Sequence, residues 1–214
     1  MAKREERPVA IPLLGVEGEA GEALEGLFIA PGVPSAGGAV IAPPHPMYGG
    51  SMDSPVVSEL AWACTKAGLA SLRFNWRGVG ASSGAPSGDA RAADSDYTAA
   101  LVQLARSVEG SVVAAGYSFG AAAAARASVE QPRVRRLALI APPPALLARE
   151  LLSEGRDVLL VAGERDTLAP PAALSALARE LPRVRLAVID DADHFFAAGL
   201  AELGSELARW LADR

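Results

Sequence analysis

Short, continuous runs of apolar residues alternate along this chain with stretches in which apolar residues recur every three or four positions. From residue 38 onward, six runs stand out: GAVIAPP, LASLRFNW, SVVAAGYS, RRLALIAPP, DVLLVAGERD and VRLAVIDDADH. A strand that is covered on both faces shows such a run, because neither of its faces meets water. The six runs therefore predict the strands of a largely parallel sheet.

Helical periodicity fills the segments between these runs. Val57, Leu60 and Cys64 share one face of residues 55–68, where Ser54 is a suitable N-cap and Pro55 suits the first helical position. Further stripes are Tyr97, Leu101, Leu104 and Val108; Leu174, Leu177 and Leu181; and Leu200, Leu203, Leu207, Trp210 and Leu211. Alternating strands and helices predict an α/β fold, a mostly parallel central sheet with helices on both faces.

The N-terminal segment and the length of one late connection indicate the domain organisation. The early stretches VAIPLLGVEG and EALEGLFIAPG predict a hairpin at a sheet edge. We expect the charged residues 1–7 to be a flexible N-terminus and residues 8–214 to form a single domain. Only about a dozen residues separate LALIAPP from DVLLVAG, enough for one short helix with Leu147 and Leu151. We therefore expect no inserted lid domain.

Composition and charge exclude several classes of function. The net charge is −5 and the arginines are scattered, so no basic stripe for nucleic acid is present. The single cysteine, Cys64, lies on an apolar helix face and is expected in the core. Two distant histidines offer no metal-ligand spacing, and we expect neither a metal nor a cofactor. There is no run of eighteen apolar residues and no signal-peptide pattern, which indicates a cytoplasmic protein without a membrane partner.

The pattern Gly-x-Ser-x-Gly occurs twice, at Gly116–Gly120 and at Gly80–Gly84. A serine nucleophile on this pattern needs a strand that ends at the serine and a helix that begins just after it. The first copy has this context, because SVVAAG precedes it and the helix-favouring AAAAARASVE follows it. The second copy follows the loop RGVG and precedes no helical period, so we interpret Ser82 and Ser83 as structural or solvent-facing. Ser118 is the candidate nucleophile.

A serine hydroxyl is a poor nucleophile until a neighbouring base takes its proton. Both histidines, His45 and His194, follow strands of the predicted parallel sheet, so both belong to the same edge as Ser118. His45 stands between prolines beside two glycines, which suits a fixed backbone. His194 lies in a loop between strand and helix and is the candidate base.

A carboxylate should orient the imidazole from the side away from the serine. Asp166, at the end of VLLVAGERD, is the best placed of the acidic residues. Glu164 remains an alternative, as do three acidic residues close to His194 in sequence: Asp190, Asp191 and Asp193.

The loop after the first buried strand, HPMYGGSMD, and the helix after Ser118 are candidates to supply N–H donors for a negatively charged oxygen. We expect the Phe119 amide to be one donor and the Met47 amide to be the other, with Tyr48 as the next choice. Four side chains, Tyr48, His45, Trp76 and Phe195, are candidates for contact with the substrate, and Asn75 with Arg77 should tie down the loop after their strand.

Five motifs taken together, PHPMYGGSMD, FNWRGVGASSG, GYSFG, GERD and ADHFF, resemble those of small, lidless α/β-hydrolases akin to dienelactone hydrolases and bacterial serine esterases. The resemblance covers nearly the whole chain. It implies the α/β-hydrolase fold and a triad in the chain order Ser118, Asp166, His194. Two departures stand out. This chain reads Pro43-Pro44-His45-Pro46 where His-Pro-His-Pro is common, and its elbow carries serine where dienelactone hydrolases tend to use cysteine.

These features predict a serine hydrolase that cleaves carboxylic esters of small or short acyl groups through an acyl-enzyme on Ser118. Thioesters are a second substrate type that this chemistry allows. The expected partner is a small-molecule ester, and the sequence leaves both a monomer and a homodimer open. Two alternatives are acyl transfer or another reaction on the same triad, and a non-catalytic binding protein with a hydrolase fold.

Overall fold

The computed structural model describes residues 5–13, 21–32, 35, 37–153 and 155–213. Within these ranges the strands are β1 (Glu6–Pro12), β2 (Ala23–Ile29), β3 (Gly37–Ala42), β4 (Ala70–Phe74), β5 (Ser111–Tyr117), β6 (Val134–Ile140), β7 (Asp157–Gly163) and β8 (Val184–Ile189). The α-helices are α1 (Pro55–Lys66), α2 (Ala90–Ala105), α3 (Phe119–Ala127), α4 (Pro171–Ala178) and α5 (Leu200–Ala212). The strands form one sheet in the order β1-β2-β4-β3-β5-β6-β7-β8.

The hairpin and the six apolar runs are confirmed as elements of this sheet. β1 and β2 pair antiparallel with β1 at the edge, and β2 also pairs antiparallel with β4. Every other neighbouring pair is parallel. β1 already begins at Glu6, two residues before the domain boundary expected from the sequence. Residues 1–4 of the expected flexible terminus lie outside the described residues.

The order of the strands decides which face each helix covers. The chain leaves β3 for β4 on one side and then returns to β5 on the other side of β3. Because such crossovers are right-handed, α1 and α2 lie on opposite faces of the sheet. α5 packs against α1, and α3 packs against α2. Open parallel sheets bind ligands at the carboxyl ends of their strands where the order reverses, which here is between β3 and β5.

Small side chains allow α3 to lie close to the sheet. Five successive alanines, at 121–125, are completely buried between the helix and its neighbours. Alanine is also the strongest helix former, so this segment satisfies local preference and packing at once. The beginning of α3, and with it the residue that precedes the helix, is therefore held firmly against β5.

The connection from β6 to β7 contains no inserted domain. Its described residues form two short 3₁₀ helices, Pro144–Leu146 and Arg149–Leu152, where the sequence predicts one short helix. Prolines 142–144 explain the difference, because each lacks an amide hydrogen and has a fixed φ. Leu147 and Leu152 nevertheless bury their side chains, so the connection lies closely on the core.

Candidate active site

Ser118 occupies a sharp turn between β5 and α3. Its backbone has φ 55° and ψ −117°, a conformation that residues other than glycine rarely adopt. The Ser118 amide donates a hydrogen bond to the Ile140 carbonyl oxygen (2.8 Å), which fixes the turn to β6. Since α3 begins at the next residue, the Ser118 side chain is held at the carboxyl edge of the sheet. This strand–turn–helix arrangement is that of a nucleophile elbow.

The two glycines of this elbow allow close backbone contact. A Cβ atom on Gly116 would lie 2.3 Å from the Gly120 carbonyl oxygen. A Cβ atom on Gly120 would lie 2.3 Å from the carbonyl oxygen of Pro43, in the loop after β3. Any larger residue would force these backbones apart, so the glycines set the position of Ser118 relative to α3 and to the end of β3.

His194 connects Ser118 to a carboxylate. Its Nε2 lies 3.0 Å from Ser118 Oγ, and its Nδ1 lies 2.8 Å from Asp166 Oδ2. With the proton on Nδ1 donated to Asp166, Nε2 is left to accept the hydrogen bond of the serine hydroxyl. The structure thus brings together the three residues that the sequence singles out, and both histidine and aspartate are buried.

Asp166 is held in place through both of its oxygens. While Oδ2 faces His194, Oδ1 accepts hydrogen bonds from the amides of Leu168 (2.8 Å) and Ala169 (2.7 Å). Burial alone would raise the pKa of this carboxyl, but the hydrogen bonds from His194 and the two amides outweigh burial and lower the pKa. Asp166 therefore stays ionised and keeps a fixed orientation toward the imidazole.

The alternative acids have other partners or other positions. Asp193 Oδ1 accepts from the Phe195 amide (3.0 Å), and Glu164 Oε2 accepts from the Asp191 amide (3.0 Å). Asp190 and Asp191 are exposed. Asp166 is the one of these candidates that contacts the His194 ring in the described structure.

Tyr117 is a contributor that the sequence interpretation did not assign. Its hydroxyl donates a hydrogen bond to the His194 carbonyl oxygen (2.8 Å), so it ties the histidine loop to the end of β5. Burial raises the pKa of this hydroxyl, which keeps it protonated and able to donate. Its place directly before Ser118 in the elbow was the signal available in the sequence.

A cavity of about 740 Å³ opens at Ser118 and His194. The other lining residues are Pro44, His45, Tyr48, Gly49, Gly50, Ser54, Pro55, Tyr117, Leu168, Phe195, Phe196, Ala197 and Leu200. The volume is in the usual range for a small-molecule site. Of the predicted substrate contacts, Tyr48, His45 and Phe195 line this cavity. Leu168 also lines it, and no periodic pattern in the sequence marked it out.

Trp76, the fourth predicted substrate contact, lies elsewhere. Its side chain is only 2% exposed and is absent from the cavity lining. The indole N–H donates to the carbonyl oxygens of Pro44 (2.9 Å) and Pro43 (3.2 Å). A buried indole needs such an acceptor, and the loop after β3 provides it. Trp76 therefore supports the loop that carries His45 instead of touching a ligand.

The Met47 amide, the expected second oxyanion donor, and the Tyr48 amide, the next choice, both have acceptors within the protein. The Met47 amide donates to Nδ1 of His45 (3.2 Å), and the Tyr48 amide donates to the His45 carbonyl oxygen (3.1 Å). Both amides are used to close the 3₁₀ turn Pro46–Tyr48, whose end requires the left-handed conformation of Gly49 (φ 78°). Met47 also lies outside the cavity lining.

The His45 amide, next to the beginning of this turn, is free: it has no hydrogen-bond partner among the described residues, and prolines 43, 44 and 46 have no amide hydrogen. The His45 ring packs on the Phe119 ring at 4.6 Å between centroids, so this loop lies against the beginning of α3. Burial lowers the pKa of the His45 imidazole, which favours the neutral ring that accepts from Met47.

Asn75 and Arg77 bind segments beside the loop after β4, which they were expected to tie down. Asn75 Oδ1 accepts from the Met52 amide (2.8 Å), and its Nδ2 donates to Glu25 (2.8 Å). Arg77 makes an ion pair with the buried Asp96. Cys64 is fully buried, and burial raises the pKa of its thiol to about 12, which suits a residue of the core.

Within the described ranges, histidine, cysteine and carboxylate side chains form no group that is suited to a metal ion. None of the described helices combines the length and the apolar character that crossing a bilayer requires.

Known proteins share this architecture. A solved alpha-beta serine hydrolase homologue from Coxiella burnetii is 30% identical, with a TM-score of 0.83 and 97% of each chain covered. A lidless α/β serine hydrolase from Xanthomonas campestris is 28% identical, with a TM-score of 0.80, and covers 98% of this chain and 97% of its own. An uncharacterised protein of Rickettsia prowazekii is 25% identical over 199 residues, 88% of this chain and 84% of that protein.

The family model for the alpha/beta hydrolase domain matches residues 48–209, most of the chain. The matched segment includes the elbow, Asp166 and His194, which the fold brings to one edge of the sheet. The chain is therefore a member of the alpha/beta hydrolase family.

Proposed function

We propose that this hydrolase cleaves carboxylic esters of small or short acyl groups, thioesters among them, through an acyl-enzyme on Ser118. The continuous hydrogen-bonded chain from Ser118 Oγ through His194 to Asp166 is the observation that carries the proposal. Serine in the elbow, in place of the cysteine typical of dienelactone hydrolases, favours a serine esterase.

His194 Nε2 takes the hydroxyl proton while Ser118 Oγ attacks the acyl carbon, and Asp166 stabilises the imidazolium that forms. His194 then gives this proton to the oxygen of the departing alcohol or, for a thioester, to the sulfur of the departing thiol. In the second half of the reaction, Nε2 takes a proton from water, which attacks the acyl-enzyme, and the acid leaves as Ser118 regains its proton.

Two backbone amides would receive the negative charge on the former carbonyl oxygen. The Phe119 amide is at the first position of α3, where no intrahelical partner exists and the helix dipole favours an anion. The His45 amide, free of other partners among the described residues, would be the second donor in place of Met47.

The test is the hydrolysis of p-nitrophenyl acetate by the Ser118→Ala variant. We expect kcat/KM to fall about 10³-fold or more, as for triad members in general. A fluorophosphonate probe should label the wild type and leave Ser118→Ala unlabelled. Ser205→Ala is the matched control, because Ser205 is exposed on α5 and bonds only to the Ala201 carbonyl. Wild-type activity in Ser118→Ala would refute the proposal.

A further inference from the structure

The described residues that line the cavity at Ser118 provide no permanently charged side chain. Lysine, arginine, aspartate and glutamate are all missing from this part of the lining. Its polar side chains, apart from the Tyr48 and Tyr117 hydroxyls, are those of His45, Ser54, Ser118 and His194. Burial lowers the pKa of His45, so this ring is neutral near pH 7 and provides no cation. A carboxylate that entered here would lose hydration and gain no ion pair.

An apolar collar surrounds the mouth of this cavity. We define the collar as Tyr48, Leu168 and Phe195, whose residues are 87%, 58% and 70% exposed. Large apolar side chains so exposed around a cavity are typical of a surface that binds an apolar ligand. The Phe195 ring stands edge-on to the His194 ring at 5.7 Å between centroids, so the collar reaches the reacting groups.

The charges close to this edge are unsuited to an anion. Asp193 is next to His194 in the chain, Asp166 is ionised behind it, and Asp53 is next to the lining residue Ser54. Two arginines of neighbouring loops already have acidic partners: Arg77 binds Asp96 and Arg165 pairs with Asp191. Apart from the amides at the beginning of α3, which serve the ester oxygen, the charged groups named here therefore disfavour a negative charge on the substrate.

Resting on the proposed function, we propose that this site selects uncharged apolar esters and rejects esters whose acyl chain ends in a carboxylate. The selection is made by the apolar collar and by the absence of a cation in the cavity lining. It acts chiefly on binding, because the triad contacts only the ester group.

A matched pair of substrates tests this selection. p-Nitrophenyl pentanoate and the p-nitrophenyl monoester of glutaric acid have nearly the same length and differ in a terminal methyl or carboxylate. We expect kcat/KM to be at least about tenfold higher for the pentanoate, with most of the difference in KM. Equal values, or a preference for the glutarate monoester, would overturn the inference.

A reversal of selectivity sharpens the test. Leu168→Arg places a cation in the collar at an exposed position, and the backbone amide that binds Asp166 is retained. We expect the pentanoate-to-glutarate ratio of kcat/KM to fall about fivefold or more in this variant. Val129→Arg adds the same charge just past the far end of α3, at a residue that is also exposed, and should keep the wild-type ratio. An unchanged ratio in Leu168→Arg would contradict the assignment to the collar.

The two proposals fail in different ways. If Ser118→Ala abolishes hydrolysis of both esters while the wild type uses them equally, the serine hydrolase stands and the selection fails. If Ser118→Ala hydrolyses both esters as the wild type does, or if the wild type hydrolyses neither, the proposed function fails and the selection falls with it. A change in oligomeric state of Phe195→Ala, seen by light scattering with an unchanged KM for the pentanoate, would instead make the collar a subunit contact.

Discussion

The same five-residue pattern folds in two ways in this molecule. At Gly116–Gly120 the serine stands between a strand and a helix, and its hydroxyl faces His194. At Gly80–Gly84 the serine is buried in a turn, where Ser82 Oγ donates to the Asn75 carbonyl oxygen (3.0 Å) and accepts from the Glu25 amide (2.9 Å). The Ser118 hydroxyl contacts an imidazole, whereas the Ser82 hydroxyl bridges two backbone groups. The partners of the hydroxyl, and not the sequence pattern, therefore determine its chemistry.

The glycines of the two copies serve different needs. Gly80 and Gly84 have φ of +58° and +85°, which a turn requires and which glycine adopts without strain. Gly116 and Gly120 are absent from the positive-φ residues, and they are needed because carbonyl oxygens lie where a Cβ would stand. Gly84 thus meets a conformational demand alone, and Gly116 and Gly120 meet a steric one. Gly80 meets both, because a Cβ there would also lie 2.3 Å from Glu25 Oε2.

The difference between the serines depends most strongly on Asp166, which only Ser118 has within its network. Asp166→Asn should lower kcat for ester hydrolysis by about 10⁴-fold, because the amide no longer fixes the His194 tautomer that accepts the serine proton. Steady-state kinetics with p-nitrophenyl acetate measure this loss. Circular dichroism should show the wild-type fold, and a decrease of less than tenfold would argue against the role of Asp166.

Alanine substitutions at Gly120 and Gly84 separate the steric requirement from the backbone-conformation requirement. Gly120→Ala should destabilise the protein by about 3 kcal/mol or more, since its Cβ meets backbone atoms of the loop after β3. Gly84→Ala should cost about 1–2 kcal/mol, because its Cβ has ordinary contacts and only the left-handed backbone opposes it. Urea unfolding gives both values, and equal losses would remove the distinction.

Ser82→Ala isolates the structural serine and should have a smaller effect than Gly120→Ala. It leaves the Glu25 amide and the Asn75 carbonyl without this partner, so the free energy of unfolding should fall by about 1–3 kcal/mol. Hydrolysis of p-nitrophenyl acetate should remain, in contrast to Ser118→Ala. A loss of activity as deep as that of Ser118→Ala, in protein that is still folded, would erase the contrast between the two serines.

Much of the fold was accessible from the sequence because it depends on local signals. Strands that are buried on both faces of a parallel sheet give continuous apolar runs, as β3 to β7 do. The sixth run also forms a strand, β8, although at the sheet edge it is only partly buried. The positions of Ser118, Asp166 and His194 followed in turn, since residues just past parallel strands meet at one edge. The scarcity of histidine left few candidates for the base.

The differences at Met47 and Trp76 concern the direction in which an amide hydrogen or a side chain points. Whether the Met47 amide points to substrate or to His45 depends on the 3₁₀ turn that follows Pro46. Whether Trp76 faces the cavity or the loop beneath it depends on where the Pro43 and Pro44 carbonyls lie. The position of Trp76 is an outcome of packing between segments that are far apart in the chain, whereas the Met47 amide is oriented by the turn in which it lies.

The exposure of the collar has a consequence for how the sequence of this protein can change in evolution. Its three side chains are exposed at their outer ends, so replacing them removes little packing, whereas the elbow beneath them admits no larger residue. Mutational drift can therefore alter substrate choice with little loss of stability, and the reacting groups stay as they are. New specificities in this scaffold should arise first at Tyr48, Leu168 and Phe195.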